Sequence, residues 1–163
     1  MQNKPQPEPT TPDNQRISAV ARHNSRAYAL QALYQWHIAG TTMDTIEAEF
    51  IKEHIDKKLD MDYFKELIHG VIEHQAEIDN EMKPFLSRSL SEVDPVELSA
   101  IRVAIYELLK RPDVPYRVII NEALELTKKF GSVEGHKFVN GLLDRVAKKN
   151  RATEIQMYNK QEK

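Results

Sequence analysis

The sequence predicts an all-α fold, and three observations carry that expectation. Apolar residues recur at three- and four-residue spacing in several long windows. No segment shows sustained period-two alternation; the β-branched run Val118–Ile120 lies inside a helical pattern. Only five glycines occur in 163 residues, which leaves little room for hairpins or glycine-rich phosphate loops.

Taken in order, residues 1–17 hold four of the eight prolines and little apolar surface, and are expected to be a disordered tail. A first helix is expected from Val20 or Ser25 to Ala39, with Ala29, Leu33 and Trp36 on one face and Gly40 as its stop. A second runs from a cap at Thr41 or Thr42 to about Ile55, with Ile46 and Phe50 inward. A third, from about Asp60 to Lys83, carries Phe64, Leu67, Ile68, Val71, Ile78 and Met82; Gln75 interrupts its stripe and Pro84 ends it. Asp94-Pro95-Val96-Glu97 reads as N-cap, first-turn proline and capping-box acid of a fourth helix to Lys110. A fifth ends at Phe130–Gly131. Ser132 caps a sixth, to Lys149, with Val139, Leu142, Leu143 and Val146 inward; inside it Gly141 is expected at a close helix–helix approach. With a connecting turn near Phe85, the total is six or seven helices, dividing at Pro84–Asp94 into halves of about 18–84 and 94–149. Residues 150–163 are expected to fray.

Composition narrows the function. No cysteine is present, which removes disulfides, thiolate metal sites and cysteine nucleophiles, and no apolar run is long enough for a membrane span. With no secretory signal pattern either, a cytoplasmic location is expected. No nucleotide-binding, hydrolase or metalloprotease motif occurs, so neither an enzyme nor a cofactor is expected. His69 and Glu73 lie four apart, but a solvated helix face accounts for them. The net charge of −2 argues against nucleic-acid binding by bulk charge, so any such site is a local patch. Asn14–His37 contains Arg16, Arg22, Arg26, two histidines and no acid, whereas Thr41–Glu66 carries eight acids against four lysines.

Two stretches suggest binding. In the first, Ala21 to Trp36, Arg22 and Arg26 are four residues apart at the start of a helix, where the dipole disfavours positive charge; phosphate contact is one reason to keep them there, and an idle exposed pair is the other. Tyr34 suits a boundary position and Trp36 the core. In the second, Phe130 to Arg145, a helix N-terminus with Lys137 and Phe138 nearby offers an anion site and a stacking surface. A plain cap with Phe138 packed inward explains the same residues.

At these two stretches the chain resembles the NusB family. "ARHNSRAYALQALYQW" is similar to that family's opening helix, and "AIRVAIYELLKRPDVPYRVIINEALELTKKFGSVEGHKFVNGLLDRVAK" to its C-terminal half; the likeness spans roughly Ala21–Lys148. The resemblance implies an orthogonal helical bundle in two small subdomains. It implies a transcription antitermination factor that binds boxA, a single-stranded RNA element, together with NusE, a small-subunit ribosomal protein. That complex joins RNA polymerase and other Nus factors, notably on ribosomal RNA operons. It places Arg22, His23, Arg26, Glu134, Lys137 and Phe138 at RNA, and Tyr34 and Glu97 at NusE. His23 and Asn24 stand where the family commonly has further arginines. The alternatives are a helical RNA-binding module of the kind fused to ribosomal RNA methyltransferases, for which a catalytic domain of ~200 residues has no room, and an oligomeric scaffold without RNA. A homodimer that hides the RNA face belongs with the last.

Overall fold

A computed structural model describes residues 12–54 and 58–162. Among them every regular element is helical: α1 (Pro12–Ala39), α2 (Met43–His54), α3 (Met61–Glu73), α4 (Gln75–Met82), α5 (Pro95–Lys110), α6 (Tyr116–Phe130), α7 (Val133–Asn150) and α8 (Ala152–Gln161). Two 3₁₀ turns, Lys83–Phe85 and Leu90–Glu92, lead from α4 to α5.

α5 is the axis of the bundle. Twelve of its sixteen residues are buried, and it packs against α1, α3, α4, α6 and α7. Its start follows the sequence expectation: Asp94 accepts from the N–H groups of Val96 (2.9 Å) and Glu97 (3.2 Å), behind Pro95 in the first turn. The core around it combines Leu33 and Ile46 with Phe64, Leu67 and Ile68 from the N-terminal half, and Ile119, Val139, Leu143 and Val146 from the C-terminal half. Trp36 packs half-buried against this core. Gly70 lies under the Tyr106 ring, where a Cβ would overlap the aromatic carbons, so α3 and α5 meet only because this position is glycine.

Several elements differ from the sequence reading. α1 is helical from Pro12, ahead of Val20; residues 1–11 of the expected tail, and Ile55, lie outside the described residues. Gly40 ends α1 with φ of 66°, the left-handed geometry expected there. The third expected helix is broken at His74 (φ −105°, ψ 21°), where the apolar stripe lapses before Gln75; the second segment then sets Ile78 and Met82 into the core.

α8 occupies residues expected to fray. Arg151, 8% exposed, anchors it. Its guanidinium donates to the carbonyls of Glu107, Leu108, Arg111 and Val114 at 2.9–3.2 Å. The Glu107 and Arg111 carbonyls also accept from the backbone N–H groups of Arg111 and Val114, so it is Leu108 and Val114 that depend on Arg151 for a donor. Glu154 links Arg151 (2.6 Å) to the N–H of Tyr116 at the start of α6 (2.9 Å). Gly141 is a further correction: it is exposed, and nothing lies within 4 Å of where its Cβ would be. No helix approaches it.

Candidate nucleic-acid and protein interface

The arginine pair of α1 is split by the fold. Arg26 is 4% exposed and makes a two-pronged pair with Glu107, Nε to Oε1 at 2.8 Å and one terminal nitrogen to Oε2 at 2.9 Å. The Tyr63 hydroxyl donates to the same carboxylate. Burial opposes the charge on Arg26, but Glu107 more than offsets it and holds the guanidinium far above its ordinary range. Burial, then the Glu107 charge, pushes the Tyr63 phenol up, so it remains a donor. Arg26 is therefore a core residue with no face toward a phosphate, contrary to the sequence expectation.

Arg22 stays at the surface. Its guanidinium lies 4.6 Å from the Tyr63 ring centroid, and its nearest carboxylate is Asp60 at 3.9 Å. His23 turns the other way: Nδ1 is 2.6 Å from Glu122 and 3.9 Å from Glu125. These three groups converge, but Arg26 already stands 3.7 Å from Glu122 and supplies positive charge there, which disfavours a cation. A protonated His23 would likewise be neutralised by the two glutamates, so it makes a poor substitute for an arginine facing RNA. Asn24 donates to the Lys58 carbonyl (2.7 Å) and ties α1 to the loop before α3. His69 pairs with Glu47 at 2.7 Å, not with Glu73.

The opposite end of α1 borders an open groove of about 550 Å³, lined by Leu30, Gln31, Tyr34, Gln35, Ile38, Ala39, Phe50, Val96 and Phe130. Tyr34 and Ile38 are exposed along it, at 39% and 58%. Phe130 and Val96 bring the groove to the edge of the turn that enters α7. Phe130 leads through Gly131 to Ser132, which caps α7 by accepting from the Gly135 N–H at 3.1 Å, as expected. Val96 is followed by Glu97, whose carboxylate lies directly on Gly135; a Cβ there would overlap it. Glu97 thus does not close a capping box. Its nearest cation is Arg88 at 4.0 Å, and burial, reinforced by Asp94, raises its carboxyl above the usual range.

On either side of Gly135, Glu134 and Lys137 are exposed, while Phe138 packs half-buried against the core. The Arg88 guanidinium lies 5.1 Å from the Phe138 ring centroid. Sequence reasoning missed Arg88 because it sits in an irregular loop where no periodicity points to it. It also missed the apolar groove, since Ile38, Phe50, Val96 and Phe130 come from four separate elements.

The family model described as NusB family matches residues 23–148, which include the α1 and α7 faces described above. The chain belongs to the NusB family. It is 51% identical over 134 residues to the transcription antitermination protein NusB of Nitrosococcus oceani, covering 82% of this chain and 90% of that protein. It is 46% identical over 148 residues to the NusB of Pseudomonas savastanoi, covering 91% and 90%. Among solved structures it is similar to NusB of T. maritima (TM-score 0.68, 32% identity, 78% of this chain and 90% of that one). It is also similar to a chain in the crystal structure of antitermination factors NusB and NusE in complex with dsRNA (TM-score 0.73, 28% identity, 79% and 97%).

Glu97 gives a direct test of this geometry. A carboxyl raised by folding contributes stability fully below its ordinary pKa and loses it as pH rises through the raised value. The stability difference between Glu97→Gln and the parent chain should therefore move in favour of the variant as pH rises from the ordinary glutamate range, about 4.3, upward. Urea unfolding at several pH values reads it, and a difference that is flat with pH would remove the buried-carboxylate account.

Proposed function

We propose that this protein is a non-enzymatic transcription antitermination factor that binds boxA-type single-stranded RNA together with NusE, in the cytoplasm. In this reading it works within an RNA polymerase complex with other Nus factors. The observation that supports it most is one surface, from the Tyr34 groove through Val96 and Glu97 to the start of α7, on which an apolar groove lies beside a cationic and aromatic face. Tyr34 and Glu97 sit on the NusE side. Its exposed aromatic edge and apolar lining suit a protein anchor. Lys137, Phe138 and Glu134 sit on the RNA side, and Arg22, at the other end of α1 beside Asp60 and Tyr63, is a separate RNA contact. Lys137 meets phosphate, Phe138 offers a ring edge for a base, and Glu134, an acid, accepts from a base or orients Lys137. The net charge of −2 accords with a partner-assisted site rather than a broad basic one.

The test is fluorescence anisotropy of labelled boxA RNA, with and without NusE, beside a scrambled RNA. Preference for boxA that NusE strengthens supports the reading; a folded protein with no preference under either condition sinks it. Lys137→Ala is expected to weaken binding across sequences and lower the salt slope by about one, with unchanged thermal unfolding. Light scattering on the free protein distinguishes a monomer from a homodimer that covers this face.

A further inference from the structure

The face of α7 that carries Glu134, Lys137 and Phe138 continues through Gly141 to Arg145, at helical spacing of three, four and seven residues. Arg145 is exposed, and its guanidinium lies 6.0 Å from the ring centroid of Phe85, in the 3₁₀ turn after α4. Upstream on the same side, Arg88 lies over Phe138. Two cation–aromatic pairs thus flank one stretch of helix, each formed between α7 and the 83–90 connection. Between them is Gly141, the one mid-helix glycine with nothing near its Cβ position. Glycine inside a helix is disfavoured, and packing gives no reason for it here. Its remaining use is to let something outside the chain approach the backbone closely.

Charge identifies what that is. Among the described residues neither Lys137 nor Arg145 has a carboxylate within ion-pair distance, and Arg88 has only Glu97 at 4.0 Å. Most other cations around α7 are already paired: Lys148 with Asp144 and Lys149 with Glu81. Unpaired cations alternating with aromatic rings are the pattern that binds single-stranded nucleic acid, with phosphates on the charges and bases against ring faces or guanidinium planes. We infer that the RNA track does not end at Phe138 but runs along α7 over Gly141 to Arg145 and Phe85, with Arg88 a further RNA-contacting residue. Seven residues from Phe138 to Arg145 span roughly 10 Å of helix, so the extension serves nucleotides beyond those at Lys137. The inference rests on the RNA-binding reading above.

Arg88 also touches the other half of the surface. It is the cation nearest Glu97, so a partner that engages Glu97 frees Arg88 for phosphate. Part of NusE's effect on RNA binding would then run through Arg88.

The full-length chain, with labelled boxA RNA and with or without NusE, tests this. Gly141→Leu is expected to melt no lower than the parent, since its side chain enters open space, yet to bind RNA roughly tenfold more weakly. Arg145→Ala and Arg88→Ala should each lower the salt slope by about one, and Arg88→Ala should in addition shrink the NusE enhancement. Gly141→Leu and Arg145→Ala binding like the parent while Lys137→Ala binds weakly would end the track at Phe138 and overturn the inference. No boxA preference by the parent, even with NusE, would instead overturn the functional reading beneath it.

Discussion

Replacing Arg26 with alanine is expected to cost about 3–5 kcal/mol of folding stability. The variant leaves Glu107, 1% exposed, as an uncompensated charge in the core, with only the Tyr63 hydroxyl as a buried donor. It also opens a cavity between α1, α5 and α6. The loss should be read as unfolding: chemical denaturation shifts to much lower urea, and RNA binding falls only in proportion to the unfolded fraction. The triple replacement Arg26→Met, Glu107→Leu and Tyr63→Phe should recover most of the stability, because apolar groups of matched shape need no charge partner and the Tyr63 hydroxyl, which donates to Glu107, is removed with its acceptor. If the single variant keeps parental stability but loses RNA binding, Arg26 is a phosphate ligand after all and the core assignment is wrong.

Arg151→Ala should be the second most damaging change. The carbonyls of Leu108 and Val114 lose their donor, while those of Glu107 and Arg111 keep a backbone N–H. Each buried acceptor left without a partner costs about 1–3 kcal/mol. Water reaches some of them once α8 lifts away, so a total on the order of 3 kcal/mol is expected, or a melting temperature lower by roughly 10 °C. Arg151→Lys should rescue little, since one ammonium cannot span four carbonyls in a planar fork. Hydrogen exchange should show α8 and the Tyr116 N–H losing protection first. Equal protection in Arg151→Ala and the parent would mean that α8 is held by its other contacts.

These two arginines mark the limit of what was legible in the chain. The caps at Asp94 and Ser132, the stop at Gly40 and the inward faces of α5, α6 and α7 were readable because each depends on residues within a few positions. Arg26 was not: its partner lies 81 residues away, and at short range it is indistinguishable from Arg22. α8 was missed for the same reason, since its polar sequence becomes a packed helix only through Arg151 and distant carbonyls. The break at His74 was visible only as a lapse in the stripe. Gly141 was assigned to close packing by a sound general rule, and the open space around it is a property of the assembled bundle. Lys137 and Phe138 were legible as a charge and a ring near a helix N-terminus and Tyr34 as a boundary residue, whereas Glu134 and Glu97 became contact candidates only through family resemblance. Local pattern alone left each with an ordinary structural explanation, which for Glu97 was the wrong one.

The burial of α5 on nearly every side also orders events in time. α5, α6 and α7 are consecutive, joined by short turns, and pack on one another, so their contacts close small loops. α1 must instead find α5 across more than fifty residues of intervening chain. A nascent C-terminal trio should therefore form early and present one uncovered flank of α5, with Ala100 and Ala104 on it, until α1 arrives. Substitutions such as Leu143→Ala should slow refolding, whereas Leu33→Ala should chiefly quicken unfolding. On the ribosome, where the N-terminus emerges first, α1 can meet α2 and α3 early, and only its α5-facing flank stays bare until α5 arrives; that interval is the molecule's most vulnerable moment.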